Sequence, residues 1–121
     1  MIELDPRISA LVLIDLQQGI LSNALTPVSS QQLVVRGQAL AERFRAAKAT
    51  VVLVNVAFSA DGEDMLRQPV DQAPPIPAGG FPASWSEFAP GLMRPGDPAT
   101  IKSGHLSHGA PHDCATLEGL D

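Results

Sequence analysis

The stretch Ala10-Leu11-Val12-Leu13-Ile14-Asp15-Leu16-Gln17-Gln18 decides the fold. Its aliphatic run, with β-branched residues and no polar alternation, reads as a strand buried on both faces, the usual state in a parallel sheet covered by helices. Such a strand is expected at the centre of its sheet. It closes on a carboxylate, Asp15, which chain direction places at the C-terminal edge, where open α/β folds bind their ligands. Asp15 is therefore the first candidate site residue. Its competing role is to cap the following turn through a side-chain oxygen, and spacing alone does not separate the two.

Before this strand, Pro6 cannot donate to a sheet ladder, so the strand should start near Ile8. After it, Gln17-Gln18-Gly19 opens a loop through Ser22-Asn23-Ala24-Leu25-Thr26-Pro27, whose turn formers argue against regular structure. Ser29 or Ser30 is placed to cap a helix over 31–48, on which Leu33, Gly37, Leu40, Ala41, Phe44 and Ala47 share one face. Arg36, Glu42, Arg43 and Arg45 fall mostly elsewhere and read as a solvated face.

Residues 50–58, Thr50-Val51-Val52-Leu53-Val54-Asn55-Val56-Ala57-Phe58, form a second strand of the fully buried type, so strand, helix and strand make a right-handed parallel crossover. Asn55 is its one polar break, either facing a pocket or bonding a neighbouring backbone group. Eight of the eleven prolines then fall within 59–99, so regular structure there should be sparse. Short helices are allowed over 61–68 and over 83–92 around Trp85. Phe81, Trp85, Phe88 and Met93 would give this long loop an apolar underside, with Trp85 pinning it down or meeting a ligand. Thr100-Ile101-Lys102 is a third, short strand ending in a cation.

A chain of 121 residues has room for one domain, expected to span 1–121. Its net charge of -5, without a basic run, lacks the electrostatic footprint of a nucleic-acid binder. A lone cysteine, Cys114, excludes an internal disulfide framework and fits a reducing compartment. Met1-Ile2-Glu3-Leu4-Asp5 lacks the regions of a signal peptide, so the cytoplasm is the expected location. No apolar run approaches the roughly 20 residues of a membrane helix. His105, His108, His112 and Cys114 are of metal-ligand type, but their spacing matches no zinc pattern, and Gly104, Gly109 and Pro111 keep one helix from presenting them together. A metal site there is the lesser reading, and Cys114 reads as structural rather than nucleophilic.

Taken together, the Asp15 strand with Gln17, the strand over 51–58 and Lys102 resemble the isochorismatase-like cysteine hydrolase family. Phe58-Ser59-Ala60-Asp61, Arg67-Gln68-Pro69-Val70-Asp71 and the neighbourhood of Pro82 and Trp85 are similar to members with a proline-rich loop after the second strand. The resemblance runs from Ile2 to about Lys102. Beyond it, Gly109-Ala110-Pro111 and Thr116-Leu117-Glu118-Gly119-Leu120 loosely resemble a family segment in which Gly-Ala-Phe leads to a helix. The resemblance implies a three-layer α/β/α fold with a parallel sheet in Rossmann-like order, C-terminally incomplete here.

The family uses an aspartate, a lysine and a cysteine, and the first two map onto Asp15 and Lys102. The cysteine belongs to a helix after a further strand, downstream of anything in this chain, so its role does not transfer to Cys114. The resemblance also implies why the residue types belong together. A carboxylate takes the thiol proton, an ammonium stabilises the thiolate, and the thiolate attacks an amide or related carbonyl. The metal site of nicotinamidase-type relatives needs histidines after the second strand, and residues 59–71 contain none. The expected activity is hydrolysis of a small-molecule amide or related substrate, with Asp15 and Lys102 catalytic and Gln17, Phe58 and Trp85 contacting substrate. No metal or cofactor is expected. The expected partners are that small molecule and a second copy of the chain, because the family's absent strands would lie beside the first one and leave its apolar edge exposed. Neither nucleic acid nor a membrane is expected. The alternative is a catalytically inactive relative that keeps this half of the fold for association.

Overall fold

The computed structural model describes residues 3–65, 69–72 and 76–103. Strands β1 (Ala10–Ile14), β2 (Thr50–Ala57) and β3 (Ala99–Ser103) form a parallel sheet in the order β1-β2-β3. Parallel neighbours cannot be joined by a tight turn. The connection from β1 to β2 accordingly carries a single turn, α1 (Gln18–Leu21), and a long helix, α2 (Ser30–Ala46). This is the α/β class expected from the strand, helix and strand succession. Among the described residues the three-layer arrangement is represented by the sheet and one helical layer.

Helix α2 starts where the sequence places a cap. Ser29 Oγ accepts from the Gln32 N–H at 3.3 Å, and Gln32 Oε1 accepts from the Ser29 N–H at 3.4 Å, a reciprocal capping box. It ends two residues before the expected Lys48, which takes a left-handed φ of 59° just beyond the cap. The face it buries is shifted from the expected one. Gly37 and Ala41 are buried and Val34 packs against the core, whereas Leu40 is 42% exposed. Close approach is the reason, since a Cβ on Gly37 would come within 2.9 Å of Leu16 Cδ1. Pressing its small residues onto the sheet turns Leu40 to the flank. There it lines a cleft of about 510 Å³ with Leu4, Pro6 and Phe44, at the end of the strands opposite to Asp15.

The core joins β2 to the loop before β3. Leu53 and Leu92 are fully buried, each worth about 1.5–3 kcal/mol of apolar burial. Ala89 completes the cluster, with Leu13, Leu16, Leu21, Val34 and Phe88 packed around it. Arg45 belongs to this region rather than to the solvated face expected of it. Its Nη2 donates to Asp97 Oδ2 at 2.5 Å and to the Leu92 carbonyl at 2.8 Å, while Nη1 meets Glu42 at 2.9 Å. The Asp97 carboxylate holds the guanidinium pKa above its ordinary value. A side chain only 17% exposed thus ties α2 to the segment that leads into β3.

Other expectations are corrected. β1 begins at Ala10 rather than Ile8, and among the described residues it is an edge strand, with β2 central. Val12 is 49% and Ile14 54% exposed, because α2 and the core loop pack on the face that carries Leu13. Aliphatic composition records a strand's suitability for burial, not the number of its neighbours. The loop expected from Gln17 contains α1, which has no side-chain cap to announce it. The helix expected over 83–92 shrinks to a 3-10 turn, Ala83–Ser86, because Glu87 is extended and Phe88 bridges Gln17 in antiparallel fashion. Residues 61–65 form turns instead of a helix start, with Gly62 at a φ of 66°. Met93, expected on the loop's apolar underside, is 46% exposed. Among the described residues no helix is long and apolar enough to cross a membrane.

Candidate active site at the C-terminal sheet edge

β1 and β3 flank β2, and sheet spacing sets them roughly 9–10 Å apart. An aspartate just past β1 and a lysine within β3 are long enough together to span that gap. Lys102 Nζ lies 2.8 Å from Asp15 Oδ1 and donates a 3.0 Å hydrogen bond to Oδ2. Eighty-seven positions separate the two residues in the chain. The Lys102 ammonium thus approaches both carboxylate oxygens, of which Oδ1 is buried. Because the Lys102 and Asp15 side chains are 45% and 36% exposed, the pair adds only about 0–1 kcal/mol to stability.

Asp15 sits at a φ of 64°, a left-handed conformation that costs most L-residues about 1–2 kcal/mol. Its N–H still donates to the Val54 carbonyl at 2.8 Å, closing the backbone ladder between β1 and β2. The chain then turns away. The Ala89 N–H donates to the Leu16 carbonyl at 2.9 Å, and the Gln18 N–H to the Glu87 carbonyl at 2.8 Å. Gln17 is fully buried between these paths. Its Nε2 donates to the carbonyls of Val56 at 2.9 Å and Trp85 at 3.1 Å, and its Oε1 accepts from the Val56 N–H at 2.8 Å.

The aromatic candidates pack on each other. Phe58, Phe81 and Trp85 form a triangle with ring centroids 4.7–5.5 Å apart, in tilted geometry. Trp85 lies so close over Gly19 that a Cβ there would fall 2.1 Å from its ring. Of the two roles open to Asn55, the structure gives it the backbone bond, with Nδ2 donating to the Ser86 carbonyl at 2.6 Å, although its Oδ1 is buried without a partner. The sheet thus brings Asp15 and Lys102 into contact, while Phe58 and Trp85 pack within the aromatic triangle and Gln17 is fully buried, its amide bonded to Val56 and Trp85 rather than open to a ligand. Sequence reasoning missed what Gln17 bonds to. Its one signal was an amide set among aliphatic residues.

Past β2, Ser59 gathers two carboxylates. Its Oγ lies 2.5 Å from Asp61 Oδ1 and 2.8 Å from Asp64 Oδ1, and its N–H donates to Asp64 at 2.8 Å. Both carboxyls titrate below their usual value, Asp61 chiefly through the Ser59 hydroxyl and Asp64 chiefly through the Ser59 N–H. Among the described residues no group of three or more His, Cys, Asp or Glu side chains is placed to hold a metal ion. His105, His108, His112 and Cys114 lie outside the described residues.

Comparison with known proteins agrees with this architecture. The sequence is 46% identical over 85 residues to the uncharacterized isochorismatase family protein YecD of Escherichia coli O157:H7, covering 70% of this chain and 44% of that one. It is 36% identical over 103 residues to the uncharacterized isochorismatase family protein YwoC of Bacillus subtilis strain 168, covering 84% and 51%. The solved structure of an isochorismatase family protein from Burkholderia thailandensis superposes with a TM-score of 0.66 at 36% identity, covering 77% of this chain and 48% of that one. The chain spans about half the length of the curated relatives it matches. No family model matches the sequence.

Proposed function

Because the chain belongs to the isochorismatase-like family over the segment its relatives share, we propose that it is a hydrolase of a small-molecule amide or related substrate. Asp15 is its proton-transfer group and Lys102 its electrostatic partner. The supporting observation is the 2.8 Å approach of Lys102 Nζ to the Asp15 carboxylate at the end of the sheet where α/β folds bind ligands. In this reading an Asp15 oxygen takes the proton of a water molecule as that water bonds to the carbonyl carbon. Lys102 offsets the negative charge that develops nearby. When the C–N bond breaks, the same carboxyl returns the proton to the departing nitrogen. Cys114 is not assigned the nucleophile's role.

A panel of small amides and vinyl ethers, assayed with wild type, Asp15→Asn and Lys102→Met, tests the reading. Asp15→Asn should lose at least about 100-fold in kcat/KM, the usual scale of general acid–base catalysis. Equal turnover by wild type and Asp15→Asn would remove the assignment. The exposed apolar side chains of β1 favour a second reading, an association module that pairs with another copy of the chain.

A further inference from the structure

In a regular parallel ladder, the rung after the Asp15 N–H bond would join the Asp15 carbonyl to the Val56 N–H, and the Gln17 N–H to the Val56 carbonyl. Neither bond exists here, because the left-handed turn at Asp15 diverts the main chain to pair with residues 87–89. Both Val56 groups are nevertheless satisfied. The Gln17 side chain supplies an acceptor to the Val56 N–H at 2.8 Å and a donor to the Val56 carbonyl at 2.9 Å. Its second amide hydrogen goes to the Trp85 carbonyl at 3.1 Å.

We propose that the Gln17 side chain acts as a surrogate peptide group that completes the β1–β2 ladder, and that it is thereby the positioning residue holding Asp15 in its left-handed, Lys102-facing conformation. The physical reason is local. Aspartate enters the left-handed region more readily than most side chains, but a residue held there in a single conformation still needs surroundings that select it. At Asp15 the conformation opens the ladder by one rung, and returning that residue to an extended conformation would drive the Asp15 carbonyl toward the Val56 N–H, which Gln17 Oε1 already occupies. Full burial of Gln17 keeps water from taking its place. Leu, Met and Ala make no such bonds, and Asn is one methylene too short to make the same ones.

The value of this position to turnover rests on the base role given to Asp15 above, but the conformation is read without any substrate. NMR reports the backbone angle of residue 15 through its amide-to-α-proton coupling and carbon shifts. Gln17→Glu is the informative variant, because its carboxylate keeps the acceptor and loses the donor, whereas a protonated carboxyl has both. Burial and the facing Val56 and Trp85 carbonyls raise the pKa of that new carboxyl, so its contribution is present at low pH and lost as pH rises. Compared with wild type at each pH, which cancels the shared carboxyls Asp15 and Glu87, the unfolding equilibrium constant of Gln17→Glu should fall at least about tenfold from about pH 8 to about pH 5. Residue 15 should regain its positive-φ signature over the same range. A positive φ at residue 15 that persists in folded Gln17→Met, or in Gln17→Glu at both pH values, would overturn the proposal. So would a stability difference from wild type that does not change with pH. Absence of turnover in every protein would count against the hydrolase reading alone.

Discussion

At Asp15 a single residue combines a left-handed backbone with a carboxylate paired to Lys102. Asparagine tolerates the left-handed region well, so Asp15→Asn should keep the local backbone and change stability by less than about 1 kcal/mol while removing the proposed base. Chemical denaturation beside the turnover assay separates the two effects, and a stability loss of several kcal/mol would make Asp15 a structural residue. Ser59 offers a second test. Because Asp61 and Asp64 titrate below the usual carboxylate value of about 3.9, the turn they make with Ser59 should persist down to that value and open only as pH falls through their lowered pKa values. The Ser59 amide shift, followed by NMR, would report opening above that value if the hydrogen bonds were absent. Asp15 was legible in the sequence because a carboxylate ending an aliphatic run is conspicuous. Its left-handed φ was not, since no glycine marks the place.

Elements were legible where local chemistry fixes them and obscure where tertiary contacts do. Ser29 and Gln32 announce the start of α2 within the sequence itself, and the aliphatic runs announce β1 and β2. The 3-10 turn at Ala83–Ser86 is short for a reason far upstream in the chain, the bridge by which Phe88 pairs with Gln17 and draws Glu87 into an extended conformation. Arg45 was misread in the same way, because Asp97 lies 52 positions downstream. That ion pair holds α2 to the entry of β3 and is mostly buried, 17% and 11% exposed. Arg45→Met should therefore cost about 2–3 kcal/mol, below the 3–5 kcal/mol of breaking a fully buried pair. Thermal and denaturant unfolding would measure it, and a loss under about 0.5 kcal/mol would reduce the contact to an ordinary surface pair. Gly19→Ala should likewise destabilise, by about 1–3 kcal/mol, because the added methyl must displace Trp85 from the aromatic triangle.

For the whole molecule, the parallel sheet follows from the succession of buried strands and a crossover helix, and the comparisons place that half of the fold in the isochorismatase-like family. The environment of β1 was the misjudged feature, since covering a strand depends on packing that composition does not record. Among the described residues Val12 and Ile14 are about half exposed on the sheet face opposite α2; we propose that copies of the chain associate through this face, so Ile14→Lys should shift the protein toward monomer in sedimentation velocity. A wild type that stays monomeric would argue against this face as an interface. The claim on which function depends is that two groups 87 positions apart act as one unit at the end of the sheet. Its most direct test is kcat/KM for wild type, Asp15→Asn, Lys102→Met and the double variant, on the small amide that wild type hydrolyses fastest. Groups that act together give a double variant no slower than Asp15→Asn alone. Losses that multiply independently, or an Asp15→Asn protein as fast as wild type, would contradict the claim.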